Sequence, residues 1–318
     1  MRTVQKISLV AAAAVIATVA PVSARAQDEI YRNQIDTTVR LDRGGSVDLS
    51  LISGRIRVTG WDRQDVKISA SIESGTLKFD ANSSRVTLTV DDNDNEDDSR
   101  RHRRNNVGEA RYDVSVPRGA RLILEAVSGD VTAAGSRGEI EATSVSGDVD
   151  VSDGVRSVNA ESVSGSVRVA QVDGNLRAET VSGNLRAQGV SGDVEANSVS
   201  GNVQLVNIKS KDVRSETVSG DIIYTGTIEP AGRYNFEAHS GTIRLNIPRA
   251  TGAQFSVETF SGDLSTDFPV TVPPRSGRHE GRVEFTIGDG RARVTAQTFS
   301  GRIIINSGSD STTRRDDE

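Results

Sequence analysis

From Val127 to Asn207 the chain repeats one pattern every nine residues: an apolar residue, Ser, Gly, Asp or Asn, an apolar residue, any residue, a small residue, then two polar ones. Ser-Gly pairs fall at Ser128-Gly129, Ser146-Gly147, Ser164-Gly165, Ser182-Gly183, Ser191-Gly192 and Ser200-Gly201. Stepping by nine from Gly129 aligns Val131, Ile140, Val149, Val158, Val167, Leu176, Leu185, Val194 and Val203, all branched aliphatics. Two residues on, Ala133, Ala142, Val151, Ala160, Val169, Ala178, Ala187, Ala196 and Leu205 form a second column without a polar exception. A repeat this strict specifies a stack of similar coils whose function lies on its surfaces.

Nine residues at about 3.3 Å each make a strand of five or six residues plus a short turn, and two such units make a coil of eighteen. The best Ser-Gly matches recur at that interval. The fold class expected is therefore all-β: a single-stranded β-solenoid, or β-helix, with nine- and eighteen-residue repeats. Alternation places Val127, Gly129, Val131 and Ala133 on one side and Ser128, Asp130 and Thr132 on the other. Gly then either faces inward, letting the opposite sheet approach, or occupies a corner that requires positive φ. Both roles fit the sequence.

Alternating strand patterns also occupy Val47–Leu51, Arg55–Val58, Val66–Ala70, Val86–Val90 and Tyr112–Val116. Ser53-Gly54 already carries the repeated pair, which starts the solenoid there. After Asn207 the pairs spread to Ser219-Gly220, Ser240-Gly241, Ser261-Gly262 and Ser300-Gly301, with Phe260 and Phe299 in place of the usual Val. This reads as wider coils with bulkier plugs that cap one end. No amphipathic helix follows the leader.

The leader is residues 1–26. Arg2 and Lys6 precede the apolar run Ile7–Ala20, and Ala24-Arg25-Ala26 offers a small-x-small cleavage site before Gln27. The run is shorter than the ~18 residues needed to span a bilayer, so a cleaved signal peptide is expected rather than an anchor. The mature chain is then exported, periplasmic or secreted to the cell surface, and does not span the membrane. Residues 27–306 form the solenoid domain, with an acidic-then-basic insertion at 91–106, and 307–318 a disordered polar tail.

Composition narrows the chemistry. There is no Cys, and aromatics make up 4%, so the interior is expected to be a thin layer of Val, Ile, Leu and Ala. Removing Arg2, Lys6 and Arg25 with the leader takes the formal charge from −6 to −9, which disfavours nucleic acid and anionic lipid.

The column after Gly (Asp130, Asp148, Asn175, Asn184, Asp193, Asn202, Asp221 and Asp263) invites comparison with calcium-binding β-rolls. Those use Gly-Gly-x-Gly-x-Asp, with several ligands per ion, whereas this repeat has one Gly and at most one Asp. Stabilising turns by bonding nearby backbone groups accounts for the column more simply. Asp91–Asp98 lacks the Gly of a calcium loop, and His102 stands where the closing Glu belongs. His102, His239 and His279 lie in unrelated contexts, no Gly-x-Ser-x-Gly elbow occurs, and no cofactor motif is present. A glycan-acting β-helix enzyme is the remaining catalytic alternative.

Ser53-Gly54-Arg55-Ile56-Arg57-Val58-Thr59-Gly60-Trp61-Asp62-Arg63-Gln64-Asp65-Val66, followed by repeated Val-Ser-Gly-Asp-Val, resembles the bacterial "putative adhesin" family, domain of unknown function 4097, a toast-rack type of β-solenoid. The resemblance covers nearly all of the mature chain; the insertion at 91–106 departs from it. It implies an exported, all-β, non-enzymatic domain with no catalytic residues to carry over, and related domains accompany envelope-stress sensing.

The leading expectation is an adhesin-like binding or structural scaffold of the cell envelope. Its binding surface is the outward row Ser128, Asp130, Ser146, Asp148, Ser182, Asn184, Ser191 and Asp193, facing an envelope glycan or protein, with self-association through the solenoid ends as a further option. The alternative is a periplasmic accessory or sensor in envelope-stress signalling that uses the 91–106 loop, since loops on rigid scaffolds often carry function.

Overall fold

The computed structural model describes residues 30–91, 107–269 and 281–308. Among them there are 25 strands and no helix, hence no helix able to cross a membrane. The expected signal peptide (1–26), most of the insertion (92–106) and the tail from 309 onward lie outside the described residues.

The strands form two ladders of mostly parallel pairs. Along the central stack, neighbouring coils are offset by eighteen residues: Val149 pairs with Val167, Val167 with Leu185, and Leu185 with Val203. The first ladder runs through Ile140–Ser144, Ser157–Ser162, Asn175–Thr180, Val194–Ser200, Asp212–Ser219 and Arg233–Ser240. The second runs through Val149–Ser152, Val167–Val172, Leu185–Val190, Val203–Ile208, Ile222–Gly226 and Ile243–Pro248. Two long strands, Ser46–Trp61 and Arg121–Ala134, cross from one ladder to the other and join them. The expected strands Val47–Leu51 and Arg55–Val58 are the two halves of the first of these, so parallel pairing begins at Ser46, ahead of Ser53-Gly54.

Both aliphatic columns point into one core. Val131, Val149, Val167, Leu185 and Val203 are buried from the second ladder, and Ile140, Val158, Leu176 and Val194 from the first. Val127 does not join them: it is 52% exposed. The reason is a slip in the alternation. Ala126 and Gly129 both face inward, which leaves the two residues between them outside. Strict period two holds along a strand but not around a corner.

The N-terminal end is closed by antiparallel strands. Gln34–Arg40 pairs with Asp65–Ile72, which pairs with Ala110–Pro117. On the other ladder Ile30–Arg32 pairs with Thr76–Ala81, and that strand with Arg85–Asp91. Gln34–Arg40 lies in a mostly polar stretch, yet Ile35 is buried there. Trp61 of the Gly-Trp-Asp opening fixes a turn: its indole N–H donates to the Asp65 carbonyl at 2.8 Å, and Arg63 lies over its ring at 4.9 Å.

The C-terminal end departs from sequence order. Ala292–Ser300 is inserted between Arg233–Ser240 and Ala253–Ser261, and Ile303–Gly308 between Ile243–Pro248 and Leu264–Thr266. Antiparallel Arg282–Ile287 covers Ala253–Ser261. Ser307 and Gly308, expected in the disordered tail, belong to the strand Ile303–Gly308 and pair with Ile247 and Pro248. Phe260 and Phe299 are not core plugs, being 77% and 50% exposed. The larger interior here is filled by Tyr224, Tyr234, Phe236 and Phe255. Burial pushes the Tyr224 hydroxyl above its ordinary pKa and the Tyr234 hydroxyl up to about 12.

Candidate functional site

The site is best approached from the corner where the first ladder turns into the second. Here the Ser-Gly pairs stack in the order 128-129, 146-147, 164-165, 182-183, 200-201, 219-220, 240-241, 300-301 and 261-262. A Cβ on Gly165 would stand 2.0 Å from the Gly147 carbonyl oxygen, and one on Gly183 2.1 Å from that of Gly165. Close approach between coils, not positive φ, is what requires glycine at these central positions.

Beneath the glycines runs a row of buried hydroxyls that the nine-residue frame conceals. Ser144 donates to the Gly129 carbonyl at 2.9 Å, Ser162 to Gly147 at 2.9 Å, Thr180 to Gly165 at 3.0 Å and Ser198 to Gly183 at 3.4 Å. Each hydroxyl satisfies a corner carbonyl, which would be costly to leave unpaired. The signal in the sequence was Ser144, Ser162, Thr180 and Ser198 at eighteen-residue spacing, continued by Thr217 after a step of nineteen.

The Asp/Asn column also works across coils. The Asp130 carboxylate accepts the Asp148 N–H at 3.0 Å, Asp148 that of Ser166 at 2.9 Å, Asn184 that of Asn202 at 3.1 Å and Asn202 that of Asp221 at 2.9 Å. Burial would raise the Asp148 pKa, but the Arg168 guanidinium at 2.8 Å and the Ser166 N–H outweigh it and hold the carboxyl below its usual value. Among the described residues, no three His, Cys, Asp or Glu side chains are grouped so as to hold a metal ion.

The expected binding row thus divides. Ser128, Ser146 and Ser182 are exposed at this corner, beside Asp130, Asp148 and Asn184. Ser191 and Asp193 sit at the opposite corner, where Ser191 donates to Asp173 at 2.7 Å and the Asp193 N–H to Asn175 at 3.1 Å. A nine-residue step carries the chain half a coil round, so one sequence column maps to two corners. The structure brings the first six together and leaves the last two apart.

What the sequence reading missed is the residue before each Ser-Gly. Val127, Val145, Val163, Val181, Val199 and Val218 are all between 44% and 52% exposed, and His239, Phe299 and Phe260 continue the row. The three rings stack nearly parallel, at 5.0 Å for His239–Phe299 and 4.8 Å for Phe299–Phe260. Facing this stripe across the hydroxyl row are Glu161, Glu179, Asn197, Glu216, Glu237 and Glu258. Stripe, hydroxyls and carboxylates enclose a groove of about 750 Å³ that runs along the stack axis.

A two-ladder parallel β-solenoid, closed by antiparallel strands at its N-terminal end and carrying one axial groove at a corner, defines the class of protein. The chain belongs to the Toastrack DUF4097 family, whose model matches residues 46–306. No curated protein matches it. Among solved structures it is similar to a "putative lipid binding protein" from Parabacteroides distasonis ATCC 8503 (14% identity, 87% of this chain and 97% of that one, TM-score 0.40). It is also similar to a "putative adhesin" from Bacteroides fragilis NCTC 9343 (13%, 86% and 96%, TM-score 0.34). A third is a "putative cell adhesion protein" from Clostridium sporogenes ATCC 15579 (12%, 86% and 99%, TM-score 0.21).

Proposed function

We propose that this chain is an exported, non-enzymatic scaffold of the cell envelope, adhesin-like in binding its partner along the Val-Ser-Gly corner. The observation that carries the reading is the stripe of exposed Val and Phe beside the groove, repeated coil after coil. Exposed apolar side chains are ordinary singly, but a continuous row marks an interaction surface. Hydrogen bonds to neighbouring coils occupy the side chains of Asp130, Asp148, Asn184 and Asn202 and of the hydroxyl row Ser144, Ser162, Thr180 and Ser198. Export rests on the leader sequence, Arg2 and Lys6 before Ile7–Ala20 and the Ala24-Arg25-Ala26 site.

The test is retention of an envelope component, glycan or protein, by the immobilised mature chain. Ser146→Arg with Ser182→Arg puts bulk and charge beside the groove, whereas Ser191→Arg puts them on the opposite corner. Retention lost in the first variant and kept in the second supports the reading. Equal retention by both, or none by the parent chain, removes it.

A further inference from the structure

We propose that the corner groove receives a basic amphipathic α-helix from a protein partner. Its apolar stripe would lie on Val163, Val181, Val199, Phe299 and Phe260, and its Lys and Arg side chains against the glutamate row. This deepens the scaffold reading and rests on it.

Charge selects the sign of the occupant. Five glutamates line the groove and no Lys or Arg does. Arg177 pairs with Glu179 at 2.6 Å, and Arg214 pairs with Glu216. Glu161 and Glu237 accept the amides of Asn159 and Asn235, Arg214 acts on Glu237 only at longer range, and among the described residues none of Glu161, Glu237 and Glu258 forms an ion pair. A second copy of this chain, docked stripe to stripe, would bring two acidic rows together, and an anionic lipid surface would meet the same repulsion. A partner carrying cations beside an apolar stripe satisfies both walls.

Backbone geometry selects the helix. The groove lies over the middle of the first ladder, where strands pair on both sides, so no open edge is left to accept an added strand. Recognition must therefore run through side chains. The stripe repeats once per coil, every ~4.8 Å, and the stacked rings show that spacing directly at 4.8 and 5.0 Å. A helix presents one side chain per turn along a face, every ~5.4 Å. An extended chain presents same-face side chains every ~6.8 Å and loses step within two coils. From Val163 to Phe260 the stripe crosses seven coils, or roughly 29 Å, the length of about 19 helical residues.

The probe is a labelled 20-residue peptide with Leu at helical i, i+3, i+4 and i+7 spacing, flanked by Lys. Its binding to the full mature chain is read by fluorescence anisotropy, and its helix gain by circular dichroism. A control peptide of the same composition is scrambled so that no stripe forms. Two triple variants, Val163→Ser/Val181→Ser/Val199→Ser and Glu161→Gln/Glu237→Gln/Glu258→Gln, change outward side chains only, and an unchanged Tm verifies the fold of each. The expected result is a helical bound peptide whose Kd rises at least about tenfold in each triple variant and in the scrambled control. Scrambled and striped peptides binding equally, or either triple binding as tightly as the parent, overturns the proposal. So does displacement by a neutral oligosaccharide with no helix gain, which would make the rings a sugar platform. If envelope capture still depends on Ser146 and Ser182 while the peptide fails, only the helical occupant falls. If capture fails as well, the scaffold reading falls with it.

Discussion

At the corner where the first ladder turns into the second, every central coil carries Val-Ser-Gly, and glycine packs on glycine down the stack. At the opposite corner each coil instead carries one residue in the left-handed region: Gly135, Asp153, Gln171, Gly189 and Asn207, with φ from 53° to 73°. That corner has close approaches too, at Gly138, Gly174 and Gly192, but Arg156 stands in the same row. The first corner therefore admits one residue type and the second several. Close contact between backbones forbids any Cβ, whereas left-handed φ only disfavours most of them and tolerates Asn and Asp.

Substitution of Gly183 by Ala tests the stricter corner and should have the largest effect. The added Cβ meets the Gly165 carbonyl oxygen at 2.1 Å, a backbone atom that cannot swing aside. The coil must shift, at a cost of about 1–3 kcal/mol. Thermal or denaturant unfolding measures it, and a change below about 0.5 kcal/mol would show that the stack is looser than this packing implies.

Thr180→Val should rank second. The shape is kept and the hydroxyl donating to the Gly165 carbonyl at 3.0 Å is lost, for about 1 kcal/mol. An unchanged stability would mean that the hydroxyl row fills space without supporting the corner.

Asp148→Asn should cost about 0.5 kcal/mol at neutral pH, small because the carboxylate is partly exposed and its Arg168 pair is screened. The amide oxygen can still accept the Ser166 N–H, as Asn184 and Asn202 do for their neighbours. The folded-state pKa of Asp148 is depressed, so its charge adds stability above the ordinary carboxylate pKa and loses it as pH falls through the folded value. The gap between parent and variant should close on acidification below about pH 4. A gap that stays constant with pH would assign the effect to geometry rather than charge.

These corners also show what the sequence could and could not reveal. The aliphatic columns at Val131 and Ala133 were legible because burial at a fixed interval leaves a direct mark on composition. The eighteen-residue coil of two strands was legible too, from the Ser-Gly interval, but the nine-residue columns superpose its two corners and merge Ser182-Gly183 with Ser191-Gly192. Reading in steps of eighteen separates them, exposing the hydroxyl row at 144, 162, 180 and 198, which Thr217 continues one residue late. The Val stripe was hidden for another reason. An apolar residue in a strand pattern reads as core, and only the slip in alternation between Ala126 and Gly129 turns Val127 outward. The return of Ala292–Ser300 into the stack left no local trace, since every strand there carries the same pattern wherever it docks.

Gly189→Asn carries the smallest expected effect and is the most discriminating against Gly183→Ala. Gly189 has φ of 70°, and a Cβ there would meet only the Gln171 side chain, at 3.3 Å, whose end can rotate away. Asn already occupies the equivalent place one coil on, at Asn207 with φ of 53°. Asn is among the residues that tolerate this region, and replacing Gly also restricts the unfolded chain, an opposing gain of about 0.4–1 kcal/mol. The net change should fall within about 0.5 kcal/mol of zero. Gly189→Val sharpens the contrast, since a β-branched side chain at positive φ is strained whatever space surrounds it. Tolerance of Asn with loss on Val would fix conformation as the demand at this corner, leaving contact as the demand at the other. Equal losses for Asn at 189 and Ala at 183 would mean that both corners are governed by coil-to-coil contact, and the distinction between them would not hold.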